Sequence, residues 1–294
     1  MIISTSEEMN PLRRSTMEDV HVILPAGSWK ACHDPNFSYL AIYDGHGGRD
    51  TVDFLKQTLA TNVAIEINNN LEGDGDIDIP ANLERALLIT DIQAHKFGIP
   101  SSGSTVAICV IHHFKDKQQQ QQKTILYTAN VGDARIVVSS KRNKNNSKTT
   151  TDAAIRLTFD HSANDPQEVT RIDKNGGFCL QGRVVGVLAV ARALGDFGIK
   201  KYVIAEPYTY SHETTCTTTC KLLSNKDNGD DNDNDNGEFV ILACDGLWDI
   251  MSDQEAVDLV RAFKGDKQQV AAELTTYAIK NGSTDNVTVI VCWL

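Results

Sequence analysis

Apolar residues along the chain fall into short β-branched runs separated by amphipathic blocks. Val106 to Ile111, Thr124 to Val131, Arg135 to Ser139, Ile155 to Thr158 and Phe239 to Cys244 have the length and composition of strands. Tyr39 to Tyr43, Val20 to Ile23 and Val287 to Val291 read the same way. After Gly47-Gly48, Val52, Leu55, Leu59 and Val63 recur three or four apart, which predicts a helix with one buried face. Pro80 opens a second helix with Leu83, Leu87 and Ala94 on a similar face. Ser252-Asp253-Gln254-Glu255 has the form of a capping box ahead of Ala256, Val257, Leu259 and Val260, and a further helix is expected over Val270 to Ile279. Helices in pairs and strands in runs predict an α+β fold rather than a regular βαβ alternation.

Four polar stretches interrupt this pattern: Asn68 to Asp78, Lys115 to Lys123, Lys141 to Asp152 and Asp227 to Glu238. None can bury enough apolar surface to offset the entropy of ordering, so they are expected to be loop insertions within one domain spanning residues 1–294. The acidic run at 226–238 lacks the Gly and Glu offsets of a calcium loop. Cys216 and Cys220 have no second ligand pair to make a metal site.

Charge narrows the partners. Twenty-eight Lys and Arg against 39 Asp and Glu leave a net charge of −11, which opposes nucleic acid or an anionic membrane as the main partner. The longest apolar stretches, Val184 to Ala191 and Phe239 to Cys244, fall far short of the ~18 residues a spanning helix needs. Seven scattered Cys suit buried thiols in a reducing compartment, and Met1-Ile2-Ile3-Ser4 carries no leader pattern. The expected location is cytoplasmic or nuclear, and without a coiled-coil pattern the expected state is a monomer.

The carboxylates at strand ends carry the chemistry. Tyr39 to Tyr43 runs into Asp44-Gly45-His46-Gly47-Gly48, and Phe239 to Cys244 runs into Asp245-Gly246-Leu247-Trp248-Asp249. Asp285 stands just before Val287, and Glu18-Asp19 just before Val20. A strand fixes the side chain at its end, and the Gly that follows is expected to turn the backbone sharply and free a carbonyl. Acids from several strand ends can then converge, and their repulsion calls for a cation. Oxygen-only ligation suits Mg²⁺ or Mn²⁺ rather than Zn²⁺. The residues alone leave open that each Asp-Gly is an ordinary turn.

The motifs taken together resemble the metal-dependent serine/threonine protein phosphatases of type 2C. The likeness runs in order from Arg14-Ser15-Thr16-Met17-Glu18-Asp19 through Asp44-Gly45-His46-Gly47-Gly48, Ser102-Gly103-Ser104-Thr105 and Ala129-Asn130-Val131-Gly132-Asp133-Ala134-Arg135. It continues with Leu157-Thr158-Phe159-Asp160-His161, Gly182 to Val190, Arg192-Ala193-Leu194-Gly195-Asp196, Ala243 to Asp249 and Asp285 to Val289.

The resemblance implies a four-layer αββα sandwich of two antiparallel sheets flanked by helix pairs, with two Mn²⁺ or Mg²⁺ ions in a cleft between the sheets. Asp44 would bridge the ions, and the Gly45 carbonyl, Asp245 and Asp285 would complete the inner shell. Glu18 would act through water and Asp19 would support the cluster. Asp133 and Asp249, with Asp245, match the positions of a third, weaker ion. Arg14 would grip the substrate phosphate and His46 would protonate the leaving alkoxide. Two cations about 3.5 to 4 Å apart yield hydroxide from a bridging water near neutral pH. In-line attack on phosphoserine or phosphothreonine of a protein substrate then needs no phosphoenzyme.

Arg183 and Asp196 are read as structural, pairing ionically at the base of a short flap around 165–205. Leu12, Ala134 and Ala191 depart from the usual small residue or Ser. The Cys179 to Arg183 stretch lacks the tryptophan by which plant relatives engage hormone receptors. A catalytically dead scaffold would be expected to have lost an inner-shell acid, and all are present. A nuclease is opposed by the charge. A cysteine-based phosphatase is excluded because no Cys has an Arg six residues later.

Overall fold

The computed structural model describes residues 1–71, 78–115, 121–142, 151–214 and 237–294. Its elements are β1 (Ile2–Glu8), β2 (Val20–Leu24), β3 (Phe37–His46), α1 (Asp50–Leu71), α2 (Ile79–Phe97), β4 (Gly103–Lys115), β5 (Gln122–Val131), β6 (Arg135–Arg142) and β7 (Thr151–Arg156). There follow α3 (Pro166–Lys174), β8 (Cys179–Leu180), β9 (Arg183–Val184), β10 (Leu194–Gly195), β11 (Tyr208–Glu213), β12 (Phe239–Ala243), α4 (Asp245–Trp248), α5 (Asp253–Ala262), α6 (Val270–Lys280) and β13 (Val287–Trp293).

One sheet has the order β1-β13-β12-β6-β7 and the other β11-β5-β4-β3-β2, with β10 against β4; the pairings are antiparallel. The alternation of β3 shows how the layers stack. Tyr39, Ala41 and Tyr43 pack with Val52, Leu55 and Leu59 of α1 and Leu83 and Leu87 of α2, while Leu40 and Ile42 meet the other sheet. In β12, Phe239, Ile241 and Ala243 face α5 and α6, and Val240 and Leu242 face inward. Both faces of each central strand are therefore buried, which is why these antiparallel strands read as continuous apolar runs. The result is the expected α+β sandwich of four layers. The capping box forms, with Ser252 Oγ accepting from Glu255 N at 3.3 Å and Glu255 Oε2 accepting from Ser252 N at 2.8 Å.

Several polar stretches are narrower than the sequence implied. β4 and β5 carry their ladder to Lys115 opposite Gln122, and β6 and β7 carry theirs to Arg142 opposite Thr151, because hairpin pairing satisfies the backbone even where side chains are polar. Likewise α1 continues to Leu71, with Asn68 buried and bonded to His33 N and Ala31 O. Cys216, Cys220 and most of the acidic run lie outside the described residues.

Residues 165–205 are more than a short loop. Ala163, Ile172, Val184, Val190, Ala191, Ala193 and Val203 form their own apolar cluster. Its ionic anchor is buried Glu168, which pairs with Arg171 at 2.7 Å and Arg192 at 2.6 Å. Arg183 instead donates to the Val187 carbonyl at 2.7 Å and Asp196 pairs with His46, so the two do not pair with each other.

Candidate metal centre

Four chain segments bring acids to one end of the sandwich. β3 delivers Asp44, the β5–β6 turn delivers Asp133, the start of α4 delivers Asp245, and the segment before β2 delivers Asp19. One carboxylate oxygen from each of Asp44, Asp133 and Asp245 lies within 4.8 Å of the others, and oxygens of Asp19 and Asp44 lie equally near Cys244 Sγ. Asp44 does not end its strand: β3 continues to His46, with Asp44 opposite Thr105 and His46 opposite Gly103. The ladder fixes the Asp44 side chain from both sides.

The glycines in the two Asp-Gly pairs serve close approach rather than a turn, for neither has a positive φ. A Cβ on Gly45 would stand 2.6 Å from the Glu18 carbonyl oxygen, and one on Gly246 would stand 2.0 Å from that of Asn286. Gly45 thus lets the Glu18 segment lie against β3, and Gly246 lets the Asp285-Asn286 segment lie against α4. After β12 the chain enters a helical turn directly, with Asp245 as its first residue.

Crowding shows in the titration of these acids. Burial above all, followed by the charges of Asp19, Asp245, Asp133 and Asp285, raises Asp44 well above the ordinary carboxylate range. Asp245 is raised in the same way by burial and then by Asp133, Asp285 and Asp249. Burial pushes Asp19 up to about 6 even though Thr288 Oγ1 donates to it at 2.7 Å. Asp133 is likewise at about 6, through burial and then the charge of Asp160. Asp249 is exposed on the cluster's rim and only moderately raised by burial, with Arg135 opposing the shift.

Asp285 reaches the cluster through its charge on Asp44, Asp245 and Asp19, and its carboxylate accepts from Arg14, whose Nε also donates to Thr284 O at 3.2 Å. Glu18 accepts from Gly48 N at 3.2 Å and from Thr16 Oγ1 at 3.1 Å. His46 Nε2 bonds Asp196 Oδ2 at 2.7 Å.

A profile of the Protein phosphatase 2C family matches residues 4–226 and 230–287. Protein phosphatase 2C homolog 1 of Saccharomyces cerevisiae is 35% identical, over 99% of this chain and 93% of that protein. The chain belongs to the protein phosphatase 2C family.

Membership makes it a metal-dependent protein serine/threonine phosphatase. Protein phosphatase 2C homolog 1 of Schizosaccharomyces pombe is 34% identical over 97% of this chain and 71% of its own length. Among solved structures, a C. elegans sex determining protein superposes with a TM-score of 0.76 at 26% identity, over 99% of this chain and 64% of that one. A phosphatase from Toxoplasma gondii shares the fold, with a TM-score of 0.73 at 24% identity over 99% of this chain and 92% of that one.

The phosphatase's donor set fits a hard divalent cation. Buried carboxylates with raised pKa values need a positive charge to ionise together at neutral pH. The soft atom in this cluster, Cys244 Sγ, is pushed well above its ordinary pKa by burial and then by Asp19 and Asp44, which disfavours the thiolate. Across the ladder from Asp44, the buried Thr105 hydroxyl makes no hydrogen bond among the described residues.

Sequence reasoning gave no role to several residues that hold the site together. Asn286 accepts from Glu18 N at 2.9 Å and donates to Met9 O at 2.8 Å and Thr16 O at 3.0 Å, tying the first acidic segment to β13. Asn10 Nδ2 donates to Ser283 O at 2.7 Å and to Asp285 O at 3.2 Å. Behind Asp133, Arg135 joins Asp160 and, at 2.7 Å, Asp253, while its guanidinium lies 5.0 Å from the Trp248 ring centroid. Asn286 stood inside the Asp285 to Val289 motif, but an amide among carboxylates gives no sign of its partners until the loops are placed.

Proposed function

We propose that this phosphatase hydrolyses phosphoserine and phosphothreonine monoesters in proteins by direct attack of water on phosphorus, without a phosphoenzyme. The convergence of Asp44, Asp133 and Asp245 oxygens within 4.8 Å carries the reading. Asp44, the Gly45 carbonyl, Asp245 and Asp285 would hold two Mg²⁺ or Mn²⁺ ions, with Glu18 and Asp19 behind them and Asp133 and Asp249 serving a third, weaker position. When bound, such ions offset the phosphate charge and lower the pKa of coordinated water.

The chain's own groups do the rest. Arg14 is half-exposed beside Asp285, and its guanidinium fork suits two phosphate oxygens. Glu18, held by Gly48 N and Thr16 Oγ1, and Asp19, held by Thr288 Oγ1, present fixed acceptors. A serine or threonine leaves as a strongly basic alkoxide and needs a proton. His46 is the donor, and Asp196, itself bonded through its N to Ser102 O at 3.1 Å, orients the ring from Nε2. That leaves Nδ1 for the leaving oxygen. Gly103 makes this pair feasible, because a Cβ there would fall 2.1 Å from Asp196 Oδ2 and 2.4 Å from His46 Nε2.

The test is hydrolysis of a phosphothreonine peptide titrated with Mn²⁺ and Mg²⁺. Phosphate release that rises with either ion and stops in EDTA is expected; release that persists in EDTA would overturn the reading.

A further inference from the structure

We propose that the ion pair of Asp91 and Lys200 positions the proton donor of the reaction, acting on His46 through Gly195 and Asp196; this rests on the role given to His46 above. Asp196 reaches His46 from a backbone that does not favour its own conformation. Gly195 and Asp196 are both left-handed, with φ of 81° and 50°. Glycine enters that region freely, but a residue with a Cβ does so at a cost that its surroundings must hold. The turn is also tight. A Cβ on Gly195 would fall 2.4 Å from the Ser102 carbonyl oxygen and 2.8 Å from Thr51 Oγ1.

The bonds that hold this turn come from two directions. On one side Asp196 N donates to Ser102 O at 3.1 Å, and Thr51 Oγ1 at the start of α1 donates to the same carbonyl at 2.9 Å. On the other, the Asp91 carboxylate in the C-terminal half of α2 accepts from Gly195 N at 2.8 Å, a bond that spans 104 residues of sequence. The same oxygen, Oδ1, accepts from Lys200 Nζ at 3.0 Å, and Lys200 Nζ also donates to Ala193 O at 3.0 Å. The carboxylate therefore grips the amide of Gly195 while its counter-ion grips the carbonyl two residues earlier. Residues 193–195 are fixed at both ends immediately before Asp196.

The surroundings make the pair effective. Asp91 is buried, and Lys200 Nζ lies 5.3 Å from the Phe197 ring centroid. Burial lowers the Lys200 pKa, with Asp91 and then the charge of Asp196 opposing it. A charged acceptor binds an amide more strongly than a neutral one, and the ammonium beside it keeps that charge in place. A pair of this kind in solvent would contribute little, whereas breaking a buried one leaves a charge uncompensated.

The test compares turnover of a phosphothreonine peptide and of p-nitrophenyl phosphate, both with saturating Mn²⁺, in the full chain and in Asp91→Ala, Asp91→Asn, Lys200→Met and Asp196→Asn. A displaced donor matters for the poor leaving group and hardly for the good one. Asp91→Ala should lower kcat for the peptide about tenfold, with its KM and the turnover of p-nitrophenyl phosphate within about twofold of wild type. Lys200→Met and the isosteric Asp91→Asn, which keeps an oxygen for Gly195 N, should show the same selective loss in smaller measure. They decide the matter if circular dichroism shows Asp91→Ala unfolded. Adding Asp91→Ala to Asp196→Asn should cost little more than Asp196→Asn alone, because both act through one imidazole ring. Equal losses on both substrates, no loss on either, or losses that multiply in the double variant would overturn the proposal. Selective loss in Asp196→Asn without any in the Asp91 and Lys200 variants would strike the positioning role alone. Absence of selective loss in Asp196→Asn would strike the role of His46 and the positioning role with it.

Discussion

Stripping divalent cations should change how the stability of this protein depends on pH. Asp19 and Asp133 have folded pKa values of about 6 against an ordinary 3.8, with burial as the main cause. The folded chain therefore binds protons more tightly than the unfolded chain. The stability this contributes is complete below pH 3.8 and is lost as pH rises through about 6. One such shift is worth about 3 kcal/mol. The acids share one field and exchange protons, so a single shift serves as the floor for the cluster. For a chain of this size that corresponds to about 5 °C in Tm.

His161 acts in the opposite direction. It is buried and held at about 4 rather than 6.5, so its contribution is present above pH 6.5 and lost as pH falls toward 4. It does so with or without metal and cancels when the two states are compared. The assay is calorimetric Tm in EDTA and in saturating Mn²⁺ between about pH 5.5 and about pH 7.5. Between those pH values one such shift sheds about 1 kcal/mol, the rest having gone between pH 3.8 and about 5.5, so the gap between the curves should widen toward high pH by about 1 to 2 °C or more. A gap that stays constant or narrows would show that the acids do not repel one another in the folded chain.

Asp44→Asn removes the charge that four other acids oppose, so its metal-free Tm near neutral pH should rise while phosphothreonine turnover falls by about a thousandfold or more; retained turnover counts against the site. Asp196→Asn weakens a buried, charged hydrogen bond worth about 1.5 to 3 kcal/mol. Hydrolysis of phosphothreonine peptide should drop about 10- to 100-fold and that of p-nitrophenyl phosphate much less, because the latter needs little help in leaving. Equal losses on both substrates would remove Asp196 and His46 from proton delivery. Gly246→Ala drives a methyl into the Asn286 carbonyl and should cost about 1 to 3 kcal/mol along with Mn²⁺ affinity, whereas Gly198→Ala, with open space around it, should change neither. Unchanged Mn²⁺ affinity in Gly246→Ala would show that the spacing of α4 and the Asp285 segment does not matter.

The central strands and four of the helices were legible because their side chains are buried in a regular period, as Tyr39 to Tyr43 and Phe239 to Cys244 show. Two of the edge strands were not. β1 is Ile-Ile-Ser-Thr-Ser-Glu-Glu, and its serines are spent on α6 and its approach, Ser4 Oγ donating to Gln268 O at 2.7 Å and Ser6 Oγ meeting Thr275 Oγ1 at 2.9 Å. No alternation of apolar residues marks such a strand, and β11, Tyr208–Glu213, is polar in the same manner. At the site, the acids were legible because each borders a conspicuous apolar run. The backbone that seats them was not: Gly45 and Gly246 looked like turn residues, and only the packed chain shows that neighbouring segments occupy the space a side chain would need. Asp196 was assigned to the wrong partner because sequence offers no measure of its proximity to His46, 150 residues away.

β1 lies alongside β13 from Ile2 opposite Trp293 to Glu8 opposite Val287, so two strands far apart in sequence share one ladder. Glu18 and Asp19 follow the one and Asp285 precedes the other. A chain stripped of β13 would therefore lose the ladder that holds β1 and would slacken both acidic segments at once.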